Sequence, residues 1–148
     1  MDAFQLTRIG PDGSPADVTL VVDLSPSTAT QTIARLTFSG GLAEFGSLVD
    51  GLYRLRIFAA RVSGFGQPLD GDANGTAGGD FSLDLHRLYG DVNGDKAVNG
   101  LNLTAFRSAF GSTSAGAALA FLSGLQRRRR HQRHRPGQFL SRFGVILP

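Results

Sequence analysis

The sequence predicts a mainly β protein, an antiparallel sandwich followed by a small α-helical module. Three observations lead to this prediction. In residues 1–88, short stretches alternate between apolar and polar residues, which is the period of a half-buried strand. The chain has 20 glycines, and together with many Ser, Asp and Asn residues they separate these stretches as turns do. In residues 89–148 the apolar spacing becomes helical, so we divide the chain into modules 1–88 and 89–148.

Four stretches carry the alternation of the β module. In ADVTLVVDLS, one face holds Val18, Leu20 and Val22, and in LYRLRIFAARV, Tyr53 and Leu55 share a face opposite arginines. The same pattern occurs in TQTIARLTFSG and DFSLDLHRL, and AFQLTRI is a candidate fifth strand. Turn residues between short runs of this kind are typical of antiparallel strands.

The sequence around Tyr53 bears on which class of β-sandwich the first module belongs to. In LVDGLYRLRI, a turn is followed by a tyrosine and then by alternating apolar residues, which resembles the tyrosine corner of an immunoglobulin-like sandwich. The alternative is that Tyr53 is an ordinary half-buried strand residue, and the sequence leaves both open. Because a full sandwich of this class needs about seven strands, we expect the module to be truncated at its N-terminus.

The second module opens on a loop and a helix. In LNLTAFRSAFG, Leu103, Phe106 and Phe110 fall on one helical face, with Asn102 as the expected N-cap and Gly111 as the expected stop. Two further short helices are expected, in STSAGAALAFLSG and GQFLSRFG.

The loop before this helix has the spacing of a calcium site. An EF-hand loop places oxygen ligands at positions 1, 3, 5, 9 and 12 and a backbone carbonyl at position 7. In DVNGDKAVNGLN these positions are Asp91, Asn93, Asp95, Asn99 and Asn102, with the carbonyl of Ala97. The alternative is a turn rich in Asp, Asn and Gly that binds no ion.

The longer stretch GDVNGDKAVNGLNLTAFRSAFG, residues 90–111, resembles one repeat of a type I dockerin, and we set the bounds of this first repeat at residues 89–111. The resemblance implies a half EF-hand that binds Ca²⁺ and docks onto a cohesin-like protein module or a cell-surface component, in a secreted or cell-surface protein. Two positions depart from the pattern. Lys96 stands where the loop normally has Gly, and Asn102 stands where it normally has a carboxylate, so we expect weak binding.

A dockerin has two repeats, and the second repeat expected here lacks a recognisable calcium loop. Aligning LTAFRSAFG with PGQFLSRFG places a second repeat at residues 122–144 and its loop at residues 124–135, which read GLQRRRRHQRHR. Legal codons for that stretch, read one base later, give DFNGDGAINGTD, a complete calcium loop. Our hypothesis is that this repeat is translated out of frame.

The competing interpretation of the same stretch is a basic arm. Residues 1–95 hold 12 acidic and 6 basic residues, a net charge of −6, whereas residues 96–148 hold 9 basic residues and no acidic ones, a net charge of +9. Such a cluster attracts nucleic acid and other polyanions through charge alone, in a salt-dependent way. No aromatic residue interleaves it, so we expect only non-specific binding. The candidate residues are Arg127, Arg128, Arg129, Arg130, Arg133 and Arg135.

A second acidic loop, LDGDANGTAGGDF, lies in the β module. It offers Asp70, Asp72, Asn74 and Asp80 as a possible weak cation site. Their spacing does not fit the 12-residue loop, and a solvated hairpin loop is the favoured alternative.

Several functions are disfavoured. The chain has no Cys, which excludes disulfides, Cys-ligated zinc and thiol catalysis. MDAFQLTRIG is not a signal peptide, no apolar run is long enough for a membrane span, and no catalytic motif occurs. We therefore expect a monomeric, non-catalytic attachment module at the C-terminus of a secreted or cell-surface bacterial protein. The alternatives are the non-catalytic tail of a polysaccharide-degrading enzyme and a polyanion-binding arm.

Overall fold

The computed structural model describes residues 2–44, 46–64, 66–110 and 140–148. The chain divides into two compact units, Met1–Arg87 and Leu88–Pro148. Each unit contains its own cluster of buried apolar residues.

The described part of the first unit is built from short antiparallel strands. The main sheet has the order β10–β7–β1–β2, and the remaining strands form the pairs β3–β4, β5–β6 and β8–β9. The prediction of a mainly β chain with antiparallel sheets is confirmed, and each of the five predicted stretches contains a strand. The strands are β1 (Phe4–Ile9), β2 (Pro15–Asp17), β3 (Thr19–Asp23), β4 (Arg35–Ser39), β5 (Ala43–Glu44), β6 (Ser47–Leu48), β7 (Gly51–Ile57), β8 (Ser63–Gly64), β9 (Gln67–Pro68) and β10 (Phe81–Arg87), with a 3₁₀ turn at Ala59–Arg61.

The registers explain the core. Leu6 of β1 lies opposite Leu55 of β7, and Thr7 lies opposite Arg54, so apolar and polar side chains take opposite faces of the sheet. Leu20 and Phe38, a cross-strand pair in β3–β4, pack against the same core. Two sheets therefore share one apolar interior. Its buried residues are Leu6, Val18, Leu48 and Tyr53.

Tyr53 is fully buried rather than half-buried. Its hydroxyl donates to the carbonyl oxygen of Val49, four residues upstream, at 2.6 Å. This is the hydrogen bond that a tyrosine corner requires. Burial raises the pKa of the Tyr53 hydroxyl, and the same turn is fastened by a 2.5 Å ion pair between Arg87 and Asp50.

The apolar faces of this unit are incompletely covered. Leu83 on β10 is 47% exposed, and Val22 and Leu24 are 36% and 52% exposed. Val22 was assigned by alternation to the same face as Val18, which is buried, so that face is covered only in part.

The second unit has one helix among its described residues, α1 (Gly100–Phe110). Leu88 and Val98 are its buried core, and Tyr89, Leu103, Phe106 and Leu147 pack against them. The predicted helix in STSAGAALAFLSG lies outside the described residues. In the described part of GQFLSRFG, Ser141–Gly144 form a turn. In the described part of the chain, no helix has the length and apolarity needed to cross a membrane.

Candidate metal centre

The loop from Asp91 to Asn102 is wound around its first residue. One carboxylate oxygen of Asp91 accepts the backbone N–H of Gly94 at 2.8 Å, and the other accepts that of Lys96 at 2.9 Å. A carboxylate that satisfies two backbone donors holds the loop closed around itself. Position 1 of the predicted site therefore organises the loop backbone.

The later polar side chains of the loop meet one another. The Asn93 amide donates to Asp95 at 2.8 Å, and the Asn99 amide donates to the same carboxylate oxygen of Asp95 at 3.4 Å. The Asn102 amide closes the group by donating to the side-chain oxygen of Asn93 at 3.0 Å. Four of the predicted ligand residues, spread over ten positions of sequence, are thus joined in one chain of side-chain hydrogen bonds.

The helix start contains a correction to the sequence prediction. The N-cap is Asn99 and not Asn102, because α1 begins at Gly100 and the Asn99 side chain accepts the N–H of Leu101 at 2.9 Å. Asn102 lies three residues further on, and its side-chain oxygen accepts the backbone N–H of Asn99 at 2.9 Å. The bond between Asn102 and the N–H of Asn99 is one half of a capping box, in which the N3 side chain accepts the N–H of the N-cap residue. Asn102 is completely buried, with both ends of its amide hydrogen-bonded.

Lys96 adopts the backbone conformation that the loop reserves for glycine. Its φ angle is 65°, in the left-handed region. A residue with a Cβ pays roughly 1–2 kcal/mol there. Since the loop keeps this geometry in spite of that cost, position 6 behaves as it does in a calcium loop.

Val98 anchors the loop to the unit's interior. Its side chain is completely buried and packs in the core with Leu88. Its backbone N–H donates to the carbonyl of Val145 at 3.0 Å, and its carbonyl accepts the N–H of Gly144 at 2.8 Å. The apolar residue at position 8 therefore fixes the far side of the loop. Sequence reasoning missed the role of residues 144–147, because no local pattern links them to the loop.

The chemistry of the donors fits a hard cation. The Asn93 side chain and then the N–H of Ala97 donate to Asp95, which lowers the pKa of its carboxyl and keeps it ionised. The ligand atoms at the predicted positions are all oxygens, which is the donor type that Ca²⁺ prefers. Asn99 and Asn102 depart from the pattern, because the side-chain oxygen of each accepts a backbone N–H and the side-chain nitrogen of each faces another side chain of the loop.

The acidic loop of the first unit is assembled differently. Asp70 accepts the N–H groups of Asn74 at 3.1 Å and Gly75 at 2.9 Å, and Asn74 donates to Asp72 at 3.0 Å. The fourth candidate, Asp80, is engaged elsewhere: its oxygens bind Arg56 and the N–H of Ala59. Three of the four residues therefore gather without Asp80. In the described ranges, no three Asp, Glu or His side chains form a metal-binding group.

The two loops share a feature that the sequence reasoning overlooked. Each begins with an aspartate whose carboxylate accepts the N–H of the residue five positions later, Lys96 after Asp91 and Gly75 after Asp70. The signal was present in the first six residues, D-G-D-A-N-G, which match ligand positions 1, 3 and 5 with glycine at position 6.

The six arginines of the candidate polyanion surface, Arg127 to Arg135, lie outside the described residues. For the chain as a whole, no protein-family model matches, and neither a curated protein nor a solved structure matches it. The function is therefore inferred from the residues of the chain itself.

Proposed function

We propose that residues 91–102 bind Ca²⁺ and stabilise a non-catalytic attachment module of a secreted or cell-surface bacterial protein. The module would dock onto a cohesin-like protein module or a cell-surface component. The observation that carries the proposal is the hydrogen-bonded group of Asn93, Asp95, Asn99 and Asn102 in a loop wound around Asp91.

The ligands would be the side chains of Asp91, Asn93, Asp95 and Asn99 and the carbonyl of Ala97. Ca²⁺ supplies a charge that offsets the two carboxylates of the loop, those of Asp91 and Asp95. With only two formal charges and an amide at position 12, we expect a dissociation constant of roughly 10⁻⁴–10⁻³ M, in the range of extracellular calcium modules.

The test is calcium titration of the full chain by calorimetry, with amide NMR shifts of Gly94 and Ala97 as the site-specific readout. We expect saturable binding that shifts both amides and is lost in Asp91→Ala. Asp12→Ala is the matched control, because Asp12 is another aspartate that accepts a backbone N–H in its turn. Unshifted amides at millimolar calcium, or equal binding by Asp91→Ala, would contradict the proposal.

For the first module we propose an immunoglobulin-like sandwich that acts as a spacer or partner of the calcium module. The hydrogen bond from Tyr53 to Val49 and the core shared by two antiparallel sheets support this proposal. The dockerin resemblance equally supports the non-catalytic tail of a polysaccharide-degrading enzyme. A glycan-hydrolase domain in the parent protein would favour that alternative.

The charge asymmetry favours a second candidate, non-specific polyanion binding by the arginine-rich stretch. Resequencing the gene across the codons for Leu119 to Phe139 decides between this candidate and an out-of-frame repeat. Recovery of DFNGDGAINGTD would remove the basic arm altogether. If the arginine codons stand, we expect binding to heparin that weakens steeply between about 50 and 200 mM salt.

A further inference from the structure

The C-terminal residues Gly144–Leu147 run antiparallel to the middle of the candidate calcium loop. Leu147 donates its N–H to the carbonyl of Lys96 at 2.9 Å, and Val98 donates to Val145 at 3.0 Å. Ala97 lies between these bonds and pairs with Ile146 in an isolated β-bridge. Positions 6 and 8 of the loop are thus both tied to this segment.

The bonding pattern fixes the direction of the Ala97 carbonyl. In an antiparallel ladder, two facing residues whose neighbours on both sides are joined by backbone hydrogen bonds form a non-hydrogen-bonded pair. The N–H and C=O of each residue in such a pair point away from the partner strand. The Ala97 N–H does point away, because it donates to the Asp95 carboxylate at 2.9 Å. The Ala97 carbonyl is therefore aimed to the loop side, where Asp95 lies.

The segment is held in place by its own side chain and turn. Leu147 packs against the core of Leu88 and Val98. Gly144, with a φ angle of 89°, makes the left-handed turn that brings the segment back to the loop. Ile146, by contrast, is 74% exposed and adds little packing.

We infer that Gly144–Leu147 is a positioning segment for the calcium site, which aims the position 7 carbonyl at the ion. The inference rests on the proposed calcium binding. It implies coupling in both directions: docking of the segment raises calcium affinity, and calcium tightens docking by the same factor. Leu147 fixes the segment to the core, so truncation of its side chain should loosen the docking.

The test compares Leu147→Ala with Ile146→Ala in the full chain. We expect Leu147→Ala to weaken calcium binding at least about fivefold, the lower end of typical coupling between sites. Ile146→Ala, a neighbouring truncation at an exposed position, should leave the affinity unchanged. In the unaltered chain, calcium should slow hydrogen exchange at the amides of Val98 and Leu147, a readout that needs no folded variant.

The outcomes separate the two proposals. If the unaltered chain binds no calcium, the proposed function fails and the positioning role fails with it. If calcium binds but exchange at Val98 and Leu147 is unaffected, the positioning inference alone is overturned. Equal calcium affinities of the Leu147→Ala and Ile146→Ala variants would overturn it as well.

Discussion

The loops at residues 70–80 and 91–102 begin alike and end differently. In both, an aspartate carboxylate accepts the N–H of the residue five positions later, Gly75 or Lys96. The first loop then runs into a strand, and Asp80 is taken by Arg56. The second runs into a helix, and Asn102 returns to Asn93. The first half of such a loop therefore shapes a turn, and the second half determines whether the polar side chains of the loop come together.

The largest difference in stability between the two loops should come from truncating one asparagine in each, Asn102 and Asn74. Asn102→Ala should destabilise the second unit by about 2–3 kcal/mol, because it removes half of the capping box and leaves buried partners unsatisfied. Asn74→Ala, at an exposed position, should cost less than about 0.5 kcal/mol. Chemical denaturation gives the free energy of unfolding of each variant, and hydrogen exchange of the backbone amides shows in which unit stability is lost. Similar costs for the two variants would mean that the loops do not differ in this way.

Adding the missing carboxylate should sharpen the contrast. Asn102→Asp raises the number of charged ligands in the loop from two to three, so we expect calcium affinity to increase about tenfold. Without calcium, the same variant should be less stable, because the new carboxylate cannot donate to Asn93. Calorimetry with Asn74→Asp as the control checks the affinity. An unchanged affinity would show that position 12 takes no part in binding.

Exchanging the residues at position 6 should move the two loops in opposite directions. Lys96→Gly should stabilise the second unit by about 1 kcal/mol, because glycine adopts a positive φ angle without steric cost. Gly75→Lys should destabilise the first loop by a similar amount, since Gly75 has a φ angle of 85°. Thermal denaturation of the two variants gives the test. Destabilisation by Lys96→Gly would mean that the Lys96 side chain contributes more than its backbone strain costs.

The smallest effect should be on how the stability of the second unit changes with pH in acid. The folded pKa of Asp95 lies below its ordinary value of 3.8. Its contribution is therefore complete above pH 3.8 and is lost as pH falls through the depressed folded pKa. Asp95→Asn should make the acid unfolding of the second unit shallower, as followed by circular dichroism without calcium. Asp12→Asn, in the first unit, should leave that transition unchanged.

The sequence predicted the parts of this chain that have a period. The five main strands follow from alternation, because each is long enough to bury one face. The paired short strands β5–β6 and β8–β9 were missed, because two residues carry no alternation. The candidate calcium loop was identified from ligand spacing, and calcium binding by it stays a prediction.

Other features depend on contacts that no local pattern contains. The sequence could not tell whether Asn99 or Asn102 caps the helix, since both are suitable and the outcome depends on which side chain meets which N–H. The loss of Asp80 to Arg56 and the docking of Leu147 both join residues that are distant in the chain.

The burial of Tyr53 gives the molecule a built-in optical probe. The chain has two tyrosines and no tryptophan, and Tyr53 lies in the first unit while Tyr89 lies in the second. In Tyr89→Phe, ultraviolet absorbance and fluorescence would come from Tyr53 with phenylalanine as the only background. Since burial raises the pKa of Tyr53 above its ordinary value of 10.0, the appearance of tyrosinate absorbance near pH 10 would report the opening of the turn around Tyr53. In that variant, ultraviolet spectroscopy can follow the first unit alone, with no attached label.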